Sequence, residues 1–264
     1  NGKPLSLARA VDIPRAEKNL AFFAGAIEQF PSEAHIPAGP THINYTHRKP
    51  IGVVGCISPW NLPLYLFTWK VAPALAAGNC VIAKPSEITP VTAWMLSQWI
   101  EEAGFPPGVF NVLHGLGPEV GQAIVEHPGI KAISFTGGTS TGAHIARTTA
   151  SMFKKLSLEL GGKNPAIIFS DCDFDAALAT TVRSSFANQG QICLCSSRIL
   201  IEDSIYDRFR DALIEKVKRM IPGDPLDEQT KMGAVVSAAH RDKIIQHIEL
   251  AQSEGGQLLC GGGT

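Results

Sequence analysis

The chain has 264 residues, 45% of them hydrophobic, and a formal net charge of −1. That is enough apolar mass for one large or two ordinary cores, with no basic field for nucleic acid and no run near the roughly 20 apolar residues that span a bilayer. Six scattered cysteines without a signal-peptide pattern favour reduced thiols in a cytoplasmic setting, and Cys193-Leu194-Cys195 lacks the spacing and companion ligands of a zinc site, so no metal is expected.

From Leu5 to about Gln29 apolar residues recur at helical spacing (Leu20, Phe23, Ala24, Ile27), which predicts one long amphipathic helix, broken near Pro14 and ended by Pro31. This helix, residues 1–31, is assigned to a cofactor domain. Residues 32–50 carry Pro, Gly and a short alternating run through Ile43 and Tyr45, which predicts a ribbon standing off the body and able to pair with another subunit. After Pro50 short apolar strands alternate with helices. The predicted strands are Ile51–Ile57, Cys80–Ala83, Val109–Leu113, Ala132–Phe135 and Leu156–Leu160, and the helices between them are Leu64–Ala76, Val91–Ala103, Glu119–Glu126 and Thr141–Ala150. This rhythm predicts an α/β fold, a doubly wound, Rossmann-like parallel sheet over residues 51–160 that binds a nucleotide. Gly161-Gly162 reads as a hinge into the start of a second α/β domain over residues 161–264. There strands Ala166–Phe169 and Ser197–Glu202 alternate with helices Phe174–Ala187, Tyr206–Met220 and Ser237–Ser253. The start at Asn1 and the turn-like end Gly261-Gly262-Gly263-Thr264 lead us to expect a fragment.

Cys193 ends the polar run Asn188-Gln189-Gly190-Gln191-Ile192, 34 positions after Glu159. A thiolate attacks a carbonyl to form a thioester, and a carboxylate in a mostly apolar stretch suits the deprotonation of water that hydrolyses it. The bland alternatives are a buried structural cysteine and a strand-edge carboxylate paired with Lys155 or Lys163. Gly137, Gly138 and Gly142 in Phe135-Thr136-Gly137-Gly138-Thr139-Ser140-Thr141-Gly142 lie at a strand-to-helix junction, either a pyrophosphate cradle or an ordinary tight turn. Lys84-Pro85-Ser86-Glu87 follows a strand end, where Lys84 and Glu87 suit a ribose diol, or Ser86 and Glu87 merely start a helix. Asn61, after Trp60, reads as an oxyanion donor or a capping residue, and Trp60 as a lining of the substrate tunnel.

Together these stretches resemble the NAD(P)-dependent aldehyde dehydrogenase superfamily, in order and over nearly the whole chain. The resemblance implies Cys193 as nucleophile, Glu159 as general base and Asn61 as oxyanion donor. It also implies NAD as cofactor, with contacts at Ile57, Trp60, Lys84, Glu87, Gly117, Thr136, Gly137, Gly138, Thr141, Gly142 and Leu160. Glu87 favours NAD over NADP, because a carboxylate at the ribose 2′ position repels a phosphate there. Ile57-Ser58-Pro59-Trp60-Asn61-Leu62-Pro63-Leu64-Tyr65 and Ile192-Cys193-Leu194-Cys195 look most like the 2-aminomuconic and 2-hydroxymuconic semialdehyde dehydrogenases. Their substrates carry a carboxylate, and Arg15 is the candidate cation for it, with Trp60 beside the substrate.

The implied reaction is oxidation of a small-molecule aldehyde to its acid by a homo-oligomer. A coenzyme A-acylating relative and a truncated, non-catalytic member of the fold are the competing readings. Gly138 stands where many relatives have Ser, and relatives are much longer at both ends, their C-terminal part supplying a nicotinamide-ribose carboxylate, much of the substrate tunnel and a strand used in oligomer formation.

Overall fold

The computed structural model describes residues 1–39 and 41–263, and its chain separates into two units, Val11–Leu160 and Asn1–Ala10 with Gly161–Thr264. Pro40, in the predicted ribbon, and Thr264, at the predicted turn-like end, lie outside the described residues.

In the first unit α2 (Ile13–Glu28) begins at the predicted break, with Pro14 in its first turn, where a missing N–H costs nothing. Upstream of it stand only a single turn, α1 (Leu5–Leu7), and a π-type turn (Ala8–Asp12). A ribbon follows, with β1 (Ala34–His35) antiparallel to β2 (Asn44–Tyr45), and Ile36, Ile43 and Tyr45 are exposed. Next come β3 (Val53–Ile57), α3 (Pro63–Ala76), β4 (Cys80–Lys84), α4 (Val91–Glu102) and β5 (Phe110–Val112). A π-type turn (Gly117–Gly121), α5 (Gln122–Glu126), β6 (Ile130–Gly137), α6 (Thr139–Ala150) and β7 (Lys155–Leu160) complete the unit.

The five strands β3 to β7 form one sheet in the order β5-β4-β3-β6-β7, parallel throughout. Period-two alternation divides β3 between two cores. Val54 and Cys56 pack with Leu64, Phe67 and Val71 of α3 and with Leu96 of α4, while Val53 and Ile57 pack against Ile124 of α5 and Ile145 of α6. Gly55 lies on the second face, and a Cβ there would come within 2.6 Å of Ile124 Cγ2 and 2.9 Å of Ile133 Cδ1. Its lack of a side chain is what lets α5 approach the sheet.

A polar clasp joins α2 to α3. Buried Asp12 accepts the Tyr65 amide through Oδ1 at 2.9 Å, satisfying a donor that the first turn of α3 leaves open. Asn19 Nδ2 donates to the Tyr65 carbonyl and to Thr68 Oγ1, both at 3.1 Å. At the other end of α3 Asn79 donates to the Ala74 carbonyl and accepts the Ile51 amide at 2.7 Å, pinning the helix exit to the entry of β3.

In the second unit β8 (Asn164–Ile168) and β9 (Ser196–Ile201) pair in parallel, with α7 (Phe174–Phe186), α8 (Tyr206–Lys218) and α9 (Ala238–Ser253). Phe209, Leu178 and Ile168 form its core. The sequence reading gave residues 1–31 to the cofactor domain, but Asn1–Ala10 packs with Gly161–Thr264. The reason is hydrogen bonding: the Leu5 amide donates to the Pro225 carbonyl at 2.8 Å, Ser6 Oγ to the Thr230 carbonyl at 3.2 Å, and Arg9 pairs with Glu228. Among the described residues no helix is long and apolar enough to cross a membrane.

Two glycine substitutions should move stability in opposite directions. Gly55→Ala overpacks the α5 interface and should cost about 1–3 kcal/mol. Gly25→Ala, on the exposed side of α2 with nothing within 4 Å of the added Cβ, should stabilise by about 0.5–1 kcal/mol. Urea unfolding of both variants checks this, and equal midpoints would contradict the packing.

Candidate active site

The carboxyl ends of the parallel strands gather most of the residues singled out above. Ile57 closes β3 in register with Lys84 of β4 and Phe135 of β6, and Glu159 and Leu160 of β7 lie opposite Thr136 and Gly137 of β6. The chain leaves β3 toward β4 and β5 on one side and returns to β6 and β7 on the other. At that switch point a cleft of about 530 Å³ opens, lined by Ile57, Gly117, Gln122, Phe135, Thr141 and His144 among others.

Gly138 precedes α6 in an extended conformation, and an added Cβ there meets nothing closer than Ser140 Oγ at 4.0 Å. Gly142 lies one turn into the helix, where a Cβ would come within 2.5 Å of Leu160 Cδ2, so the glycine lets α6 close on β7. The 12-residue α6 thus presents its open N–H groups over a floor with no side chain, a site suited to an anion.

Lys84 is 2% exposed, and its Nζ donates to the Pro85 carbonyl at 2.9 Å and to Glu87 Oε2 at 3.3 Å. The pair the sequence singled out is therefore an actual ion pair, with the Glu87 carboxylate partly open to solvent. Ser58, one residue past β3, has a buried hydroxyl without a hydrogen-bond partner. A buried orphan hydroxyl is costly, and its presence at the strand end fits a site completed by a ligand.

Asn61 and Trp60 are half-buried in the loop between β3 and α3, with Asn61 Oδ1 accepting the Leu62 amide at 3.1 Å. Arg15 reaches the same helix end: its Nη2 donates to Tyr65 Oη at 2.9 Å, and its guanidinium stands 5.0 Å from the centre of the Tyr65 ring. Glu159 is exposed, and no ion pair joins it to Lys155 or Lys163 among the described residues.

Lys70 was not singled out, although a lysine in the otherwise apolar α3 was a signal. It is 4% exposed and donates to Ser134 Oγ at 3.4 Å. Burial draws its pKa down to about 8, against the opposing pull of Cys56 and Glu159. Burial likewise pushes the Cys56 thiol up to about 12, which keeps that cysteine inert. Ser58, Pro118, Gln122 and His144 were also missed, because their roles come from strand ends and helix faces that meet only in the fold.

In the second unit Cys193 follows three consecutive residues in the left-handed region, Asn188 (φ 51°), Gln189 (φ 59°) and Gly190 (φ 73°). Two of these carry side chains, so the loop is held in a conformation L residues rarely adopt. Gln191 holds it, donating to the Asn188 carbonyl at 3.1 Å and accepting the Val236 amide at 3.0 Å. Asn164 Nδ2 donates to the carbonyls of Cys193 at 2.7 Å and Cys195 at 3.2 Å, fixing the backbone on both sides of Leu194. The two thiols differ. Cys193 is half-buried, whereas Cys195 is 8% exposed and burial raises its pKa.

The family model for the aldehyde dehydrogenase family matches residues 1–264. A 2-aminomuconic semialdehyde dehydrogenase of Danio rerio is 53% identical over 263 residues, covering 100% of this chain and 54% of that protein. A 2-hydroxymuconic semialdehyde dehydrogenase of Pseudomonas sp. (strain CF600) is 46% identical over 267 residues, covering 100% and 55%. Among solved structures, an NAD+ complex of an aldehyde dehydrogenase from Bacillus cereus aligns with a TM-score of 0.96 at 38% identity, covering 99% of this chain and 53% of that one. The chain spans about half the length of the curated relatives it matches. With a family model matched from end to end and relatives of this similarity, the chain belongs to the aldehyde dehydrogenase family.

Proposed function

We propose that the protein oxidises an aldehyde to its carboxylic acid with NAD as acceptor, through a thioester on Cys193. The observation that carries this reading is the contrast between Cys193 and Cys195. One thiol is half-buried on a strained, side-chain-clamped loop, and the other, two positions on, is buried with a raised pKa. Reactive thiols occupy accessible, built surroundings and structural ones do not.

The strand-end cleft fits a dinucleotide. Open N–H groups of α6 over Gly137 and Gly138 suit the pyrophosphate, the Lys84–Glu87 pair suits a ribose diol, and the orphan Ser58 hydroxyl awaits a partner. Ile57, Gly117 and Thr141 line the same cleft, Thr136 and Leu160 stand at neighbouring strand ends, and Trp60 follows β3. When bound, NAD supplies the hydride acceptor.

The chain's own residues do the rest. The Cys193 thiolate attacks the aldehyde carbon, and the Asn61 amide with the Cys193 N–H stabilises the oxyanion that forms. As that oxyanion collapses the carbon loses hydride and a thioester remains on sulfur. Glu159 then takes a proton from water, which attacks the thioester carbonyl, and the acid leaves as the thiolate is restored.

Substrates with a carboxylate, such as 2-aminomuconic or 2-hydroxymuconic semialdehyde, are the proposed class. The names of the relatives support it, and so does Arg15, a cation held by Tyr65 at the same end of α3 that follows Asn61. The ribbon β1–β2, with Ile36, Ile43 and Tyr45 exposed, supports a homo-oligomer, and six free thiols support a reducing, cytoplasmic setting.

Rapid mixing with aldehyde and NAD tests the chemistry. Glu159→Gln should give one NADH per active site and then turn over about 100-fold or more slowly, because acylation needs no water and deacylation does. Cys193→Ala should give no burst, and normal turnover by either variant contradicts its role. Arg15→Ala should raise KM for a carboxylated semialdehyde about tenfold while leaving KM for an uncharged aldehyde unchanged. Equal effects on both would remove Arg15 from carboxylate binding.

A further inference from the structure

Between α5 and α6 runs a chain of three side chains that the proposed reaction does not use. Gln122 Nε2 donates to Glu126 Oε1 at 2.6 Å, and Gln122 Oε1 stands 2.7 Å from Nε2 of His144. Gln122 and His144 both line the strand-end cleft. The far end of the chain sets its direction. A carboxylate only accepts, so Gln122 gives its amide N–H to Glu126 and turns its carbonyl to the imidazole. That carbonyl also only accepts, so neutral His144 carries its proton on Nε2 and keeps Nδ1 bare as an acceptor. Thr148 Oγ1, 3.5 Å from the same Nε2, is a hydroxyl that rotates to suit either arrangement.

The cleft has the form of a base site. Pro118, Val125 and Ile145 give it apolar walls, and Gly121 brings it beside Lys84, whose Cδ lies 3.8 Å from the position a Cβ would take. A base attached to the ribose held by Lys84 and Glu87 would enter this cleft.

We infer that the Glu126–Gln122–His144 relay selects the purine, with His144 Nδ1 accepting from the exocyclic amine of adenine. The inference rests on the NAD reading above. Adenine places a donor at C6, which meets the bare Nδ1. Hypoxanthine places a carbonyl there, and two acceptors face each other with a hydrogen bond lost on both sides. The cleft therefore discriminates a 6-amino from a 6-oxo purine through a tautomer set by Glu126, two side chains away.

Two measurements on the purified protein test this. The first is binding of NAD and of nicotinamide hypoxanthine dinucleotide, by calorimetry. The second is the long-range 1H–15N spectrum of the His144 ring without ligand. NAD should bind about tenfold more tightly than the hypoxanthine dinucleotide, with the ring proton on Nε2. His144→Phe should bring the two affinities to within about twofold. Glu126→Lys offers a donor to the Gln122 carbonyl, turns the amide round and moves the ring proton to Nδ1, so the preference should vanish or invert. Equal affinities in the unaltered protein, a ratio untouched by both substitutions, or a proton on Nδ1 at the outset overturns the relay. Failure of both dinucleotides to bind overturns the NAD reading and this inference with it, and the ring spectrum tells that failure from a wrong tautomer.

Discussion

Parallel pairing of β3 with β4 on one side and β6 on the other is the constraint on which the unit Val11–Leu160 depends. Parallel strands require crossovers, and crossovers bring helices to the sheet, so α3 and α4 cover one face while α5 and α6 cover the other. All five strands then end on one edge, and the chain diverges there, leaving an opening between β3 and β6 that no crossover covers. Residues scattered from Ile57 to Leu160 meet on that edge because of strand direction alone. The clasp of Asp12 and Asn19 on α3, and the Asn79 staple at its far end, hold the helix that carries Asn61 at its entrance.

A different device serves the second unit. The segment 188–195 is held in place by side chains that spend their hydrogen bonds on backbone groups. Left-handed Asn188 and Gln189 cost conformational energy, and Gln191 and Asn164 supply bonds that keep the loop from relaxing. The result is a thiol at Cys193 whose backbone is fixed while the residue stays only half-buried. In the proposed reaction such fixing matters twice, once for attack and once for aiming the Cys193 N–H at the oxyanion.

The sheet was legible because its signals are local. Val53–Ile57 and Cys80–Lys84 are short apolar runs bounded by turn residues, and the helices between them end at glycine or proline. Even so β6 begins at Ile130, two residues before the predicted start: Lys131 interrupts the apolar run and sits at a register shift, between Ile130 opposite Val53 and Ala132 opposite Val54. The first ten residues were misassigned for a related reason. Helical periodicity tells which face is buried but not against what, and the partners of Leu5 and Ser6 lie more than 200 positions away. Of the site, motif glycines and the Lys84–Glu87 pair could be read directly. Lys70 left one trace, a lysine in an otherwise apolar helix, whereas Ser58 and His144 left none, since an orphan hydroxyl and a hydrogen-bonded imidazole are properties of neighbours rather than of spacing.

The proposed reaction is covalent chemistry at one sulfur, which peptide mapping of an acid-quenched reaction with aldehyde and NAD reads out. Cys193 and Cys195 lie between Arg183 and Arg198, so a tryptic digest puts both on one peptide and fragmentation separates them. The acyl mass should lie on Cys193, with Cys195 unmodified. An acyl group on Cys195, or NADH formed at one per site with no acyl group on this peptide, would contradict it.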